Sequence, residues 1–236
     1  MAQRFPELKA LKGRHRAYSY FGETTGPRHK KYLTDYEVVK DPDELEEEGK
    51  RHRRHEHLIF SNCVANIGKG VLLLAITRRT RKRATVEQLI EDDAKPREQW
   101  RSKSVGSAVL DTNPEHNHWH FSDFLGYTLR RVGSTTVRRS KKQSFCLEDV
   151  AKLRKTARRR LFRECPDPDA DTGEMGITPG WGDVYWAGVQ EQYIEVKGLP
   201  PGHYWLEMVV DPKKRLKVKS RRYHRTRVKI TLGSGS

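Results

Sequence analysis

The chain has 236 residues, with 47 lysines and arginines against 31 aspartates and glutamates, for a formal charge of +16. That length suits one main domain with extensions and a real core, and the longest apolar run, residues 71–76, is far too short to span a bilayer. The first thirty residues hold no apolar signal-peptide core, and the basic excess favours acidic partners such as nucleic acid, anionic surfaces or acidic proteins.

Residues 1–56 are polar, with an acidic stretch at 41–48 running into a basic one at 50–55, and read as an N-terminal extension with little core of its own. His52, His55 and His57 sit among Arg51, Arg53 and Arg54, match no single face of a helix or strand, and read as a solvated basic face. From Leu58 the texture changes, and residues 58–67 and 71–77 predict two strands around a turn holding Gly68 and Gly70. Thr85 followed by Gln88 resembles a capping box and predicts a short helix through Leu89 and Ile90, ended before Pro96.

Leu147, Val150, Ala151, Leu153, Ala157 and Leu161 recur at helical spacing, with Lys152, Arg154, Lys155, Arg158 and Arg159 on the remaining surface, and predict the main helix. Residues 193–196 and 204–210 are strand-like, and the Gly/Pro-rich turn at 197–202 predicts a hairpin. Residues 228–232 supply a last strand after the basic stretch 213–227, and Gly233, Ser234, Gly235 and Ser236 read as an appended tail. The expected fold is mainly β: an antiparallel, sandwich-like domain over 57–232, with one or two short helices and long loops.

His116, His118 and His120 alternate with Asn117, Trp119 and Phe121. On a strand, the period of two puts all three imidazoles on one face, where they can offer nitrogens to one ion. Imidazole suits copper, zinc, iron and nickel, and copper(II) binds such a site most tightly among the common divalent ions. Three cysteines, Cys63, Cys146 and Cys165, make neither a disulfide framework nor a zinc ribbon, so at most one pair forms.

Lys142 lies in Lys142-Gln143-Ser144-Phe145-Cys146-Leu147-Glu148-Asp149, and Tyr185 in Gly180-Trp181-Gly182-Asp183-Val184-Tyr185. The histidine segment ending in Phe121-Ser122-Asp123-Phe124, then Lys-x-Ser-Phe-Cys-Leu-Glu-Asp, then Pro-Gly-x-x-Asp-x-Tyr resembles the lysyl oxidase catalytic domain in content, order and rough spacing. The similarity continues into Gln192-Tyr193-Ile194-Glu195-Val196 and Pro201-Gly202-His203-Tyr204-Trp205-Leu206, and backward into residues 58–68. With few cysteines, the chain resembles a microbial relative rather than the animal members.

The resemblance implies that His116, His118 and His120 hold copper, and that Lys142 and Tyr185 join as a lysine tyrosylquinone cofactor. The chemistry agrees: a phenol beside copper(II) and O₂ can be oxidised to a quinone, and a desolvated neutral lysine amine can add to that ring. It also implies oxidative deamination of primary amines, peptidyl lysine or small amines, to aldehydes with release of hydrogen peroxide and ammonia. Asp183, two residues before Tyr185, is the candidate base; equally, it reads as a turn acceptor beside Gly182. The expected partners are O₂ and an amine or lysine-bearing protein in acidic surroundings, and the expected location is extracellular or cell-surface.

A disulfide between Cys146 and Cys165 is expected, with the intervening helix returning the chain and Cys63 acting as a small buried hydrophobe. The family's closing acidic segment, which can hold calcium, is replaced here by the cationic residues 217–225, so that site is expected to be missing. Two other readings stand beside the oxidase. One is a basic nucleic-acid-binding or adaptor protein on a degenerate oxidase scaffold, using the runs 78–83 and 138–142. The other is a hydrolase with a zinc-bound water on the three histidines, which leaves Lys142 and Tyr185 idle.

Overall fold

In the computed structural model the described residues are 3–11, 13–17, 28–32, 36–40, 56–112, 117–140, 143–187 and 192–233. They form nineteen strands: β1 (Gln3–Arg4), β2 (Leu8–Ala10), β3 (Gly13–Ala17), β4 (Arg28–Tyr32), β5 (Tyr36–Lys40), β6 (Glu56–Phe60), β7 (Asn62–Asn66), β8 (Leu72–Thr80), β9 (Arg83–Asp92) and β10 (Arg101–Asp111) in the first half. There follow β11 (His118–Phe121), β12 (Leu125–Arg131), β13 (Val137–Arg139), β14 (Ala151–Lys152), β15 (Thr172–Ile177), β16 (Trp181–Tyr185), β17 (Tyr193–Glu195), β18 (Gly202–Val210) and β19 (Arg225–Leu232). The order β11-β10-β9-β8-β15, with β1 on β9, makes one sheet; β13-β12-β18-β19 and β14-β16-β7-β2 make two more. Smaller sheets are β17-β6-β5 and β3-β4. The fold is mainly β and antiparallel, and its only helical element among the described residues is a single 3-10 turn at Arg97–Gln99.

Alternation drives this architecture. Along β18, Tyr204, Leu206, Met208 and Val210 are buried while Trp205, Glu207 and Val209 face outward, and β19 buries Thr226, Val228, Ile230 and Leu232. Residues at even spacing share a face of a strand, so the three larger sheets each close one side over a common core. That core is continuous from Leu8 and Phe60 through Leu74, Trp119, Phe145 and Met175 to Leu206 and Ile230.

The predicted helix around Thr85 is instead β9. Ala84, Val86, Gln88 and Ile90 point inward with a period of two, and the buried polar Gln88 hides the pattern in the sequence. Its amide behaves like a strand backbone: Nε2 donates to the Lys217 carbonyl at 2.9 Å, and Oε1 accepts from the Lys217 N–H at 2.7 Å.

The main predicted helix is also absent. Its backbone groups bond elsewhere, Val150 N–H to the Gly182 carbonyl at 3.1 Å and Leu153 N–H to the Gly180 carbonyl at 2.9 Å. Buried Asp149 accepts from the N–H groups of Leu161 (3.1 Å), Phe162 (3.2 Å) and Thr178 (2.7 Å) and from the Thr178 hydroxyl (2.6 Å). A helix here would set Arg154 and Arg158 one turn apart, and Lys155 and Arg159 likewise, which is unfavourable. The chain instead makes one tight turn, Ala157 N–H to the Arg154 carbonyl at 3.1 Å, and continues as an irregular strap.

The predicted hairpin does not form either: β17 pairs with β6, whereas β18 pairs with β12 and β19. Similarly, β7 and β8 exist as expected but belong to different sheets. Their glycine link admits the crossing N-terminal chain, since a Cβ on Gly68 would lie 2.4 Å from the Glu7 nitrogen. Residues 3–11 are thus woven into the body through β1 and β2, with Leu8 fully buried, so the boundary at 57 is one of composition and not of packing there. His57 is buried and stacked on Tyr193 at 3.8 Å, which corrects its reading as a solvated residue; His52 and His55 lie outside the described residues.

Candidate active site

His118 and His120 lie on one face of β11, as alternation predicts, while Trp119 and Phe121 pack into the core. Their Nε2 atoms are 2.9 Å apart. Two nitrogens each bound at about 2.0–2.1 Å to one ion lie about 2.9 Å apart at a right angle and about 3.3 Å apart at a tetrahedral one. The spacing is that of an imidazole–imidazole hydrogen bond and also sets both nitrogens close enough to reach one ion. Behind the pair, the Asp111 carboxylate stands 3.6 Å from His120 Nδ1, where it favours the tautomer that leaves Nε2 free to ligate.

His116 lies outside the described residues. The extended strand begins at His118, since Asn117 has φ 22°. Strand alternation consequently carries the first and second described histidines together but does not extend through Asn117.

The Lys-x-Ser-Phe-Cys segment meets the histidine strand directly. Phe121 N–H donates to the Phe145 carbonyl at 2.8 Å, and Phe145 N–H returns to the Phe121 carbonyl at 3.1 Å. Lys142 itself is outside the described residues, but its flanks are anchored on both sides, Ser140 N–H on the Tyr127 carbonyl of β12 and Phe145 on β11. Cys146 and Cys165 form the expected disulfide, with Cα atoms 5.9 Å apart, and Cys63 is buried outside it. An extended strap, and not a helix, brings the two cysteines together. The sulfurs lie within 4.8 Å of a His118 ring nitrogen, which sets the bridge beside the histidine pair.

Tyr185 closes the constellation from β16. Its ring meets that of Phe145 edge-on at 4.6 Å, and its hydroxyl donates to the Cys146 carbonyl and lies 2.5 Å from Asp183 Oδ2. Asp183 and Tyr185 share a side of β16 because they are two apart. Burial pushes the Asp183 carboxyl well above the usual carboxylate range, against the hydrogen bond from Tyr185. The Tyr185 phenol is also pushed well up, first by burial and then by Asp183. One hydroxyl proton serves one acceptor, so a protonated Asp183 donating to the Tyr185 oxygen, while Tyr185 donates to the Cys146 carbonyl, satisfies all three groups.

Several neighbours escaped sequence reasoning. Tyr127, whose phenol is pushed up by burial and by Asp183, has its ring 4.9 Å from that of Phe60 and 6.2 Å from that of Phe145. Asn62 Nδ2 donates to Gln192 Oε1 at 3.0 Å. Glu148 is raised by burial, and its Oε1 lies 3.7 Å from the sulfur of disulfide-bonded Cys165. Asp111 was findable, because a hairpin returning from β10 sets it opposite His118. The Cys146 carbonyl carried no sequence signal, being a backbone group.

The sequence profile of the lysyl oxidase family matches residues 105–232, more than half of the chain. Lysyl oxidase homolog 2 of Gallus gallus is 37% identical over 101 residues, covering 41% of this chain and 12% of that protein. Lysyl oxidase homolog 3 of Homo sapiens and homolog 3A of Danio rerio are each 36% identical over 98 residues, with the same coverage. The match therefore spans about an eighth of the length of these relatives. The family match at 105–232 takes in β11 through β19, and with them the histidine strand, the Phe145 bridge and the Tyr185–Asp183 pair, so the chain belongs to the lysyl oxidase family.

Proposed function

We propose that this chain oxidatively deaminates primary amines, peptidyl lysine or small amines, to aldehydes, consuming O₂ and releasing hydrogen peroxide and ammonia. The observation that carries the proposal is convergence: β11, the Phe145–Cys146 segment and Tyr185 are joined by direct hydrogen bonds although they are distant in sequence. His118 and His120, with His116, would hold copper, and Asp111 would orient His120. Lys142 and Tyr185 would form the quinone. Together these groups supply an electrophilic carbonyl and a route for electrons to O₂.

The chain's own residues do the rest. Phe145 is buried edge-on against the Tyr185 ring and keeps water from it on that side, which strengthens the polar interactions there. Asp183 holds a proton at the Tyr185 oxygen and, once deprotonated, is the base for the carbon next to the substrate nitrogen. Burial raises its pKa, which favours keeping that proton in the resting site. A hydrolase on the histidines would leave the Tyr185–Asp183 pair unused. The disulfide, together with the family, supports action outside the cytosol, at an extracellular or cell-surface location.

Copper and O₂ should generate a visible quinone band, a phenylhydrazine-reactive carbonyl and amine-dependent peroxide in the wild type. Lys142→Ala and Tyr185→Phe should lose all three while binding copper, Lys141→Ala should keep them, and Ala at any of the three histidines should sharply lower copper stoichiometry. Recovery of the Lys142 and Tyr185 peptides separate and unmodified from active copper-loaded protein would defeat the proposal.

A further inference from the structure

The outward face of the β13-β12-β18-β19 sheet carries an arrangement that the oxidase chemistry does not use. A cleft of about 660 Å³ opens there, lined by Arg130 of β12, Arg139 of β13, Trp205 and Glu207 of β18, and Arg225 and Arg227 of β19. Like charges on one sheet face repel, and β19 repeats them at Arg225, Arg227 and Lys229 on its exposed side. The fold answers with little acid: Glu207 takes Arg225 at 3.2 Å, and Arg227 lies over the Trp205 ring at 4.5 Å. Arg139 has no acidic partner among the described residues and is exposed. Gln143, next to Lys142, lines the same cleft.

We infer that this cleft docks an acidic stretch of the polypeptide whose lysine is oxidised; the inference rests on the amine oxidase reading above. Charge complementarity selects an anion, and three features select a peptide. Glu207 already shows this arginine set pairing with a carboxylate. That same carboxylate lies in the cleft, where it opposes an evenly charged polyanion but leaves room between discrete acidic side chains. The one aromatic in the lining with an outward-facing ring, Trp205, is covered by Arg227 and not presented for base stacking. The cleft is also lined by Tyr127, whose ring lies 6.2 Å from that of Phe145 in the candidate site, so a chain that docks its acidic residues there passes close to that site.

Fluorescence anisotropy of a labelled, lysine-free, glutamate-rich peptide on the whole chain reads docking without turnover. Arg139→Gln/Arg227→Gln should weaken binding about tenfold, as the loss of two exposed charge contacts would. Arg81→Gln/Lys82→Gln, which removes the same charge from the exposed β8–β9 turn, should leave it unchanged. In copper-loaded protein, kcat/KM for a glutamate-flanked lysine peptide, relative to a small free amine, should fall about tenfold in the cleft variant. Equal weakening by both double variants overturns the inference, as does tighter binding of single-stranded DNA or a sulfated glycan of matched charge. Specific peptide docking with no turnover of any amine would sink the oxidase reading and leave the docking surface standing.

Discussion

Asp183 shows how two residues of separation on a strand become chemistry. The position beside Tyr185 was readable, but the burial that raises its pKa was not, because it comes from the sheet and strap closing over β16. A raised folded-state pKa means that its stabilising share is complete below the unfolded value of about 3.9 and is lost as pH climbs toward the folded value. Over that window the folded chain keeps a proton that the unfolded chain has released, so stability falls by up to about 1.4 kcal/mol per pH unit. Asp183→Asn should lack this slope. Urea unfolding of metal-free protein from pH 4 to 8 should show the variant gaining on the wild type as pH rises, and parallel profiles would refute the assignment.

At the scale of elements, the strap from Leu147 to Cys165 decides where the site's parts sit. It carries a helical apolar pattern, yet Asp149 and the edge of β16 take its backbone groups, and the disulfide ties its end beside His118. Local periodicity lost to long-range partners that periodicity cannot register. Replacing Asp149 with Ala strands the buried N–H groups of Phe162 and Thr178, so about 3 kcal/mol or more of stability should disappear. Trypsin should then cut readily among Arg154, Arg158 and Arg159. A loss below about 1 kcal/mol with unchanged proteolysis would show that the strap is held by other contacts. Closing a loop of 19 residues, the disulfide should add roughly 3 kcal/mol to the same strap.

For the whole molecule, the net charge of +16 is a standing repulsion that the fold only partly neutralises. Partly exposed cations sit on buried carboxylates where chain segments meet: Arg158 on Glu91 at 2.7 Å, and Arg221 on Asp211 at 3.1 Å, the latter also donating to the Leu216 carbonyl at 2.7 Å. The remaining surface repels itself through solvent, where salt screens beyond about 8 Å at physiological strength. Raising sodium chloride from about 50 to 300 mM should therefore lift the melting temperature. A flat or falling profile in differential scanning calorimetry would mean that local ion pairs outweigh the repulsion.

From sequence alone came the β class, the β11 histidine face, the Cys146–Cys165 pair and the three motif segments, because alternation and motif order are properties of nearby residues. The strands of β6, β7, β8, β18 and β19 were legible for the same reason. Their partners were not: which strand lies beside which depends on sheet-to-sheet packing, and β17 and β18 part company although a short turn joins them. Gln88 concealed a strand because its polar side chain is satisfied by Lys217, 129 positions away. Only the tertiary structure brought Phe121 against Phe145 and Tyr185 against the Cys146 carbonyl, since backbone hydrogen bonds between distant segments form wherever the core lets them approach and leave no mark on residue type.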